Sequence, residues 1–197
     1  IGTGWTGGIR ADACAASPLI EELHIAEVNE KRLEEVKKVT DASVATTDWN
    51  QLIDDSKLDA IIVSATPEST HYPMIKAALN AGKHVFVEKP ISTTIEEADE
   101  VIKLAADKNL KFTVGYSQRF KPKFAYVNKV LKENLVGEPV TCLVSRNVTR
   151  ELGKKITGRS KLSPAAMEAT HDLDFLLWCL QPRKPVRVYS QTSGKLF

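Results

Sequence analysis

Cysteine is scarce in this sequence: Cys14, Cys142 and Cys179 are the only three in 197 residues, and they lie far apart. Three cannot all pair, and no two stand in a Cys-x-x-Cys spacing. Neither a disulfide framework nor a metal site is expected, and a cytoplasmic setting fits that usage. Long apolar runs are also missing; none approaches the roughly 18 residues of a membrane-spanning helix, so no membrane partner is expected. Charge of one sign is lacking as well. Lys and Arg number 27 against 25 Asp and Glu, a net of +2, too weak a field to hold nucleic acid by its phosphates. Ten glycines and nine prolines are too few for a collagen-like or low-complexity chain. What remains is a chain 43% hydrophobic and 26% charged, able to build an ordinary core. Its length suits one large domain, or one domain and part of a second. Ile1 runs straight into Gly2-Thr3-Gly4, which reads as the tail of a strand whose earlier residues lie outside the sequence.

Along the first 120 residues short apolar runs alternate with amphipathic stretches. Leu58–Thr66 is a nearly continuous apolar run, as in a strand covered on both faces. Ser69–Ala81 reads as a helix stopped by Gly82, and His84–Val87 as another short strand closed by Glu88-Lys89-Pro90. Thr94-Ile95-Glu96-Glu97 is a capping box, followed by Ala98, Val101, Ile102 and Ala105 on one face. Lys111–Tyr116 returns to strand character. Such alternation predicts an α/β fold, a parallel sheet with helices on both faces.

After Phe120 the pattern changes, which predicts a domain over 1–120 and a partial α+β domain over 121–197. A helix is expected over Lys123–Asn134. Val140–Val148 alternates with period two and predicts an antiparallel strand with one covered face. Gly153–Lys161 reads as a basic loop, either a lid or plain surface. Ser163-Pro164 opens a helix that Gln181-Pro182 stops, and Val186–Gln191 reads as a further strand.

Gly2-Thr3-Gly4-Trp5-Thr6-Gly7 fits G-x-G-x-x-G and leads into an Ala-rich helix. Glycines allow a tight turn and a close approach of backbone amides to a pyrophosphate, and the helix start adds unpaired N–H groups and partial positive charge. A strand pattern, Leu23–Val28, ends near Asn29, 22 residues after Gly7. Asn29 does not repel a 2′-phosphate as a carboxylate would, and Lys31 with Arg32 could pair with one. These residues favour NADP slightly over NAD. Glu30 beside them leaves open a plain solvated helix start.

Glu88-Lys89-Pro90 lies at the carboxyl end of a predicted parallel strand, where open α/β sheets bind ligands. Lys89 is either aimed into a cleft by Pro90 or simply ends the strand at a solvent edge. His171 shares a helix face with Met167, Glu168, Asp174, Phe175 and Trp178. It reads either as a core histidine partnered by Asp174 or as an acid/base group at a cleft.

Three stretches together resemble the Gfo/Idh/MocA oxidoreductases: Gly2–Gly7, Ala65-Thr66-Pro67-Glu68-Ser69-Thr70-His71, and Ala81-Gly82-Lys83-His84-Val85-Phe86-Val87-Glu88-Lys89-Pro90. Gly115–Phe120 and Thr170–Asp174 extend the likeness through most of the chain. The resemblance implies a Rossmann domain followed by a domain built on an open antiparallel sheet, with NAD or NADP as cofactor. It implies hydride transfer at a secondary alcohol carbon of a small sugar or polyol, and a homo-oligomer, dimer or tetramer. By matching motif, Gly2, Gly4 and Gly7 with the Trp5 and Thr6 backbone would hold the pyrophosphate. Thr66, Pro67 and His71 would border the nicotinamide side, and Glu88 would set its geometry. Lys89 and His171 would be the catalytic pair. Where many members carry an Asp before the histidine, this chain has Met167. Glu168, one residue on and rotated by about 100°, is a candidate to meet the substrate, with Asp174 and Arg146. The missing carboxylate keeps open a second reading, a non-catalytic nucleotide-binding regulator, and a third is a glycosidase that uses bound NAD.

Overall fold

Apolar runs too short to cross a membrane and covered on both faces demand a layered sheet. The computed structural model describes residues 1–159 and 164–191 and shows such a sheet. Its strands are β1 (His24–Ala26), β2 (Val44–Thr46), β3 (Ala60–Val63), β4 (His84–Val87) and β5 (Phe112–Val114), all paired in parallel. β1 and β2 form one ladder; β3, β4 and β5 form another in that order. Ile1 and Gly2 lie between the two: Gly2 donates its N–H to Ala26 O at 2.8 Å, and Ser64 donates to Ile1 O at 2.8 Å. The chain thus runs outward from Ile1–Gly2 in one direction through β1 and β2, then in the other through β3, β4 and β5. Its carboxyl-edge loops diverge at that centre, the switch point of a doubly wound sheet.

The helices follow their local signals. Helix α1 (Trp5–Ala15) begins within the glycine motif itself. Helix α2 (Glu30–Thr40) is capped by Asn29, which accepts from Arg32 N–H at 3.0 Å. A short α3 (Asn50–Asp54) precedes β3, and a single 3₁₀ turn (Glu68–Thr70) leads into α4 (His71–Asn80). Thr94 caps α5 (Ile95–Asp107), its hydroxyl accepting from Glu97 N–H at 3.3 Å as the capping box predicts. The core joins Val63, Val87, Ile75, Ala78, Leu79 and Val101, all fully buried. Truncating such a leucine typically costs about 2–5 kcal/mol.

The chain divides into two compact units, Ile1–Gly115 with the segment through α7 (Arg150–Arg159), and Tyr116–Val148 with α8 (Pro164–Leu180) and the residues after it. The first stretch of the first unit ends at Gly115, five residues before the change expected from sequence. In the second, α6 (Pro122–Lys132) packs on α8: the Phe124 and Phe175 rings meet edge-on at 4.9 Å, and buried Asn128 donates to Trp178 O at 3.1 Å. No helix among the described residues is long and apolar enough to cross a membrane.

Three local expectations differ from what is observed. Residues 140–148 and 186–191 pair with no strand among the described residues, and Val140, Leu143 and Val186 are more than nine-tenths exposed. Alternation supplies a two-sided pattern, but only a neighbour's N–H and C=O groups make a strand. The segment expected as a basic loop from Gly153 is helical through Arg159, started by Thr149, whose hydroxyl accepts from Leu152 N–H at 3.2 Å. Arg, Glu, Leu and Lys are strong helix formers and outweigh two internal glycines. The rest of that expected loop, and Ser163, lie outside the described residues.

Candidate functional site

The glycine turn is built by steric necessity at two of its three glycines. Gly2 has φ +78°, and a Cβ there would lie 2.5 Å from Ala65 Cα. A Cβ on Gly7 would run into the Gly2 carbonyl, with the carbonyl carbon at 2.9 Å. Gly4 differs: a Cβ there would meet nothing within 4 Å. Gly4 is also the residue at which α1 starts, with no side chain capping the helix. An open backbone surface therefore faces uncapped N–H groups at a helix N-terminus, an arrangement suited to a pyrophosphate. The residues present fit a dinucleotide. Trp5 is 84% exposed and Thr6 partly buried, so the turn presents its backbone rather than a wall of side chains.

The acidic residue at this turn is Glu27, which sequence reasoning missed. Its carboxylate accepts from Thr3 N–H at 2.7 Å, from the Thr3 hydroxyl at 3.2 Å and from Asn29 N–H at 3.1 Å. The signal was present: an acidic residue 20 positions after Gly7, just past the end of β1. Asn29, expected there, instead caps α2 on the exposed surface. Arg32 folds back over the turn; its Nε–H donates to Thr3 O at 2.7 Å and its other end lies 3.4 Å from Glu35. Lys31 is exposed on α2.

Two further turns complete this edge of the first unit. Because Val63 and Val87 are register partners, the Ala65-Thr66-Pro67 turn after β3 and the Glu88-Lys89-Pro90 turn after β4 lie side by side. Thr66 and Pro67 are exposed and Lys89 is half-buried. Glu88 is anchored from α1: Arg10 Nε–H donates to it at 2.9 Å, with a second guanidinium nitrogen at 2.8 Å. The same guanidinium lies over the Phe86 ring at 4.9 Å. Gly115, after β5, is where a Cβ would press to 2.8 Å on the Glu88 carboxylate. His71 does not face outward; it is 1% exposed, with Nδ1 2.7 Å from Pro90 O and Nε2 2.9 Å from Ala65 O.

The second unit gathers the remaining expected residues on α8. Tyr116 sets its ring edge-on to His171 at 6.2 Å, and its hydroxyl lies 3.1 Å from that of Thr170. Asp174 is gripped by Arg119 at 2.8 and 2.5 Å through both oxygens, while Arg119 also covers the Trp178 ring. Arg146 makes a second bidentate pair with Asp172 and stands 3.7 Å from Glu168. The Arg146 guanidinium, and after it the adjoining His171, hold the Asp172 carboxyl below the usual carboxylate range. Met167 is buried at 2% exposure, so no carboxylate stands at that position. Asp174, expected to meet substrate, has both oxygens committed to Arg119. A strong donor fork pairs with a carboxylate wherever one is within reach.

Residues 1–116 match the sequence profile of the Gfo/Idh/MocA oxidoreductase family, described by its NAD-binding Rossmann fold. Myo-inositol 2-dehydrogenase of Thermotoga maritima is 30% identical over 139 residues, 71% of this chain and 41% of that protein. Scyllo-inositol 2-dehydrogenase (NADP(+)) of Bacillus subtilis is 29% identical over 129 residues, 66% of this chain and 36% of its own. The crystal structure of scyllo-inositol dehydrogenase from Lactobacillus casei with bound NAD(H) and scyllo-inositol superposes with a TM-score of 0.64 at 30% identity. That match covers 69% of this chain and 40% of the solved one. The chain thus spans less than half the length of these relatives. With the glycine turn, the doubly wound sheet and a profile match over more than half its length, the chain belongs to the Gfo/Idh/MocA family of NAD-binding oxidoreductases.

Proposed function

We propose that this protein transfers a hydride between a nicotinamide cofactor and a secondary alcohol carbon of a sugar or polyol. The observation that carries the reading is the open face of Gly4 above the uncapped start of α1, on the same sheet edge as the Lys89 turn. Relatives named for myo- and scyllo-inositol support a cyclic polyol as the substrate class.

When bound, the nicotinamide supplies the hydride acceptor or donor. The chain's own residues handle charge and protons. Lys89, as ammonium, stabilises negative charge developing on the substrate oxygen. His171 takes the hydroxyl proton, and an imidazole with an ordinary value of about 6.5 is suited to that near neutrality. Such transfer typically contributes about 10²–10⁴-fold. Arg119–Asp174 and Arg146–Asp172 brace the helix face that carries His171, and Glu168 beside Arg146 offers substrate hydroxyls an acceptor and a donor. Glu27 decides the cofactor: its carboxylate at Thr3 accepts a ribose hydroxyl and repels a 2′-phosphate. Arg32, which with Lys31 would favour NADP, is drawn to Thr3 O and Glu35. NAD is therefore the cofactor of this reading. The same reading expects a homo-oligomer, which native mass measurement would reveal.

A reduction screen over inositols, sugars and hydroxy acids with NAD and NADP tests the proposal. Reduction of NAD by a polyol is expected, falling at least about 100-fold in both Lys89→Ala and His171→Ala. Tight NADH binding without reduction across the panel would point instead to a non-catalytic nucleotide-binding role. Sugar release without net NADH would point to a glycosidase.

A further inference from the structure

His71 is a buried titratable group that the proposed mechanism leaves unused, and its surroundings are unusual in one respect. Both ring nitrogens face backbone carbonyl oxygens, Nδ1 facing Pro90 O at 2.7 Å and Nε2 facing Ala65 O at 2.9 Å. Both distances are those of ordinary N–H···O bonds. A carbonyl oxygen can only accept, so each contact is a hydrogen bond only if that nitrogen carries a proton. Pro90 follows Lys89 directly, and Ala65 opens the Thr66-Pro67 turn. The first residue of α4 therefore spans the two turns that end neighbouring strands.

We infer that His71 is a positioning residue: it donates from both ring nitrogens and ties the Lys89-Pro90 turn to the Ala65-Pro67 turn. The tie sets the height of the Lys89 backbone relative to the neighbouring turn. Its functional consequence rests on the dehydrogenase reading, in which Lys89 meets the substrate oxygen. A misplacement near 1 Å can cost on the order of 100-fold in rate. Cofactor affinity is expected to change little, because the phosphates are held at the glycine turn and not here.

Three measurements on the intact protein test this. First, ¹⁵N spectra of the His71 ring should show an N–H on each nitrogen, both slow to exchange in a residue that is 1% exposed; a bare ring nitrogen overturns the two-donor tie. Second, His71→Gln, which can span only one acceptor, should speed amide exchange at least about tenfold in both turns. Ile75→Val, a buried change on the same helix, should speed neither. Acceleration in one turn only, or equally in both variants, overturns it. Third, with a polyol that reduces the cofactor, His71→Gln should lower kcat about 10- to 100-fold with NADH affinity within about threefold, while Ile75→Val keeps kcat within about twofold. A proportionate loss in both variants would make His71 merely structural. Failure of the dehydrogenase reading would silence the third measurement alone, and the first two would still decide the tie.

Discussion

Gly4 and Gly7 stand three residues apart in one turn and should fail for different reasons when changed to alanine. At Gly7 the added Cβ drives into the Gly2 carbonyl and lies 3.2 Å from Ser64 Cβ. Backbone must shift, at a cost of about 1–3 kcal/mol or more, and the turn is lost with it. At Gly4 the added Cβ meets no protein atom within 4 Å, and its φ of −55° lies outside the left-handed region. Only the exchange of a glycine for an alanine N-cap remains, about 0.5–1 kcal/mol. Yet the methyl occupies the space a pyrophosphate needs in order to reach the α1 amides. One charge-assisted hydrogen bond is worth about 1.5–3 kcal/mol, so losing one lowers NADH affinity about 10- to 150-fold. Urea denaturation and calorimetric titration with NADH separate the two effects. Gly4→Ala should be nearly as stable as the parent and bind weakly, whereas Gly7→Ala should lose both. If Gly4→Ala bound NADH within twofold of the parent, the open face of Gly4 would not be the phosphate site.

Glu27→Ala removes the carboxylate from Thr3 and should raise the NADPH-to-NADH affinity ratio at least about tenfold; equal loss for both would leave Glu27 as a brace of the turn. Arg10→Leu strands a Glu88 carboxylate that is only 14% exposed, with an expected stability loss of about 1.5–3 kcal/mol. A double-mutant cycle with Glu88→Gln should recover a coupling near 1 kcal/mol or more. The Arg146–Asp172 pair should add stability that is present above the ordinary carboxylate value of about 4. Because Arg146 holds Asp172 below that value, the contribution fades as pH falls through the lowered one. Asp172→Asn should flatten that acid limb in stability measured against pH, and an unchanged limb would show the pair to be idle.

Legibility followed range along the chain. The glycine turn, the Thr94 cap, the β3 and β4 runs and the stop of α8 at Gln181-Pro182 are local patterns, and each is met in the structure. Glu27 and Asn29 are two residues apart; spacing points to Asn29 for the ribose-reading position, while in the structure it is Glu27 that meets Thr3. Which of them turns back toward Thr3 depends on where β1 ends and on Asn29 being taken by the start of α2. The Arg10–Glu88 contact joins residues 78 apart, beyond any local pattern. Alternation over Val140–Val148 predicts a strand, but alternation cannot say whether a neighbour is there to pair with.

The sequence by itself determined the family, and with it the chemistry proposed here. A G-x-G-x-x-G turn, alternating strands and helices, and a lysine and histidine in family motifs depend only on residue type and spacing, which the chain carries wherever it folds. The tertiary structure alone decided which groups are available for that chemistry. It committed Asp174 to Arg119, Arg32 to Thr3 and His71 to two backbone carbonyls, and it left the face of Gly4 open. Hydrogen-bonding capacity is finite and is spent on whichever partner the fold brings within about 3 Å, and no spacing rule records that allocation.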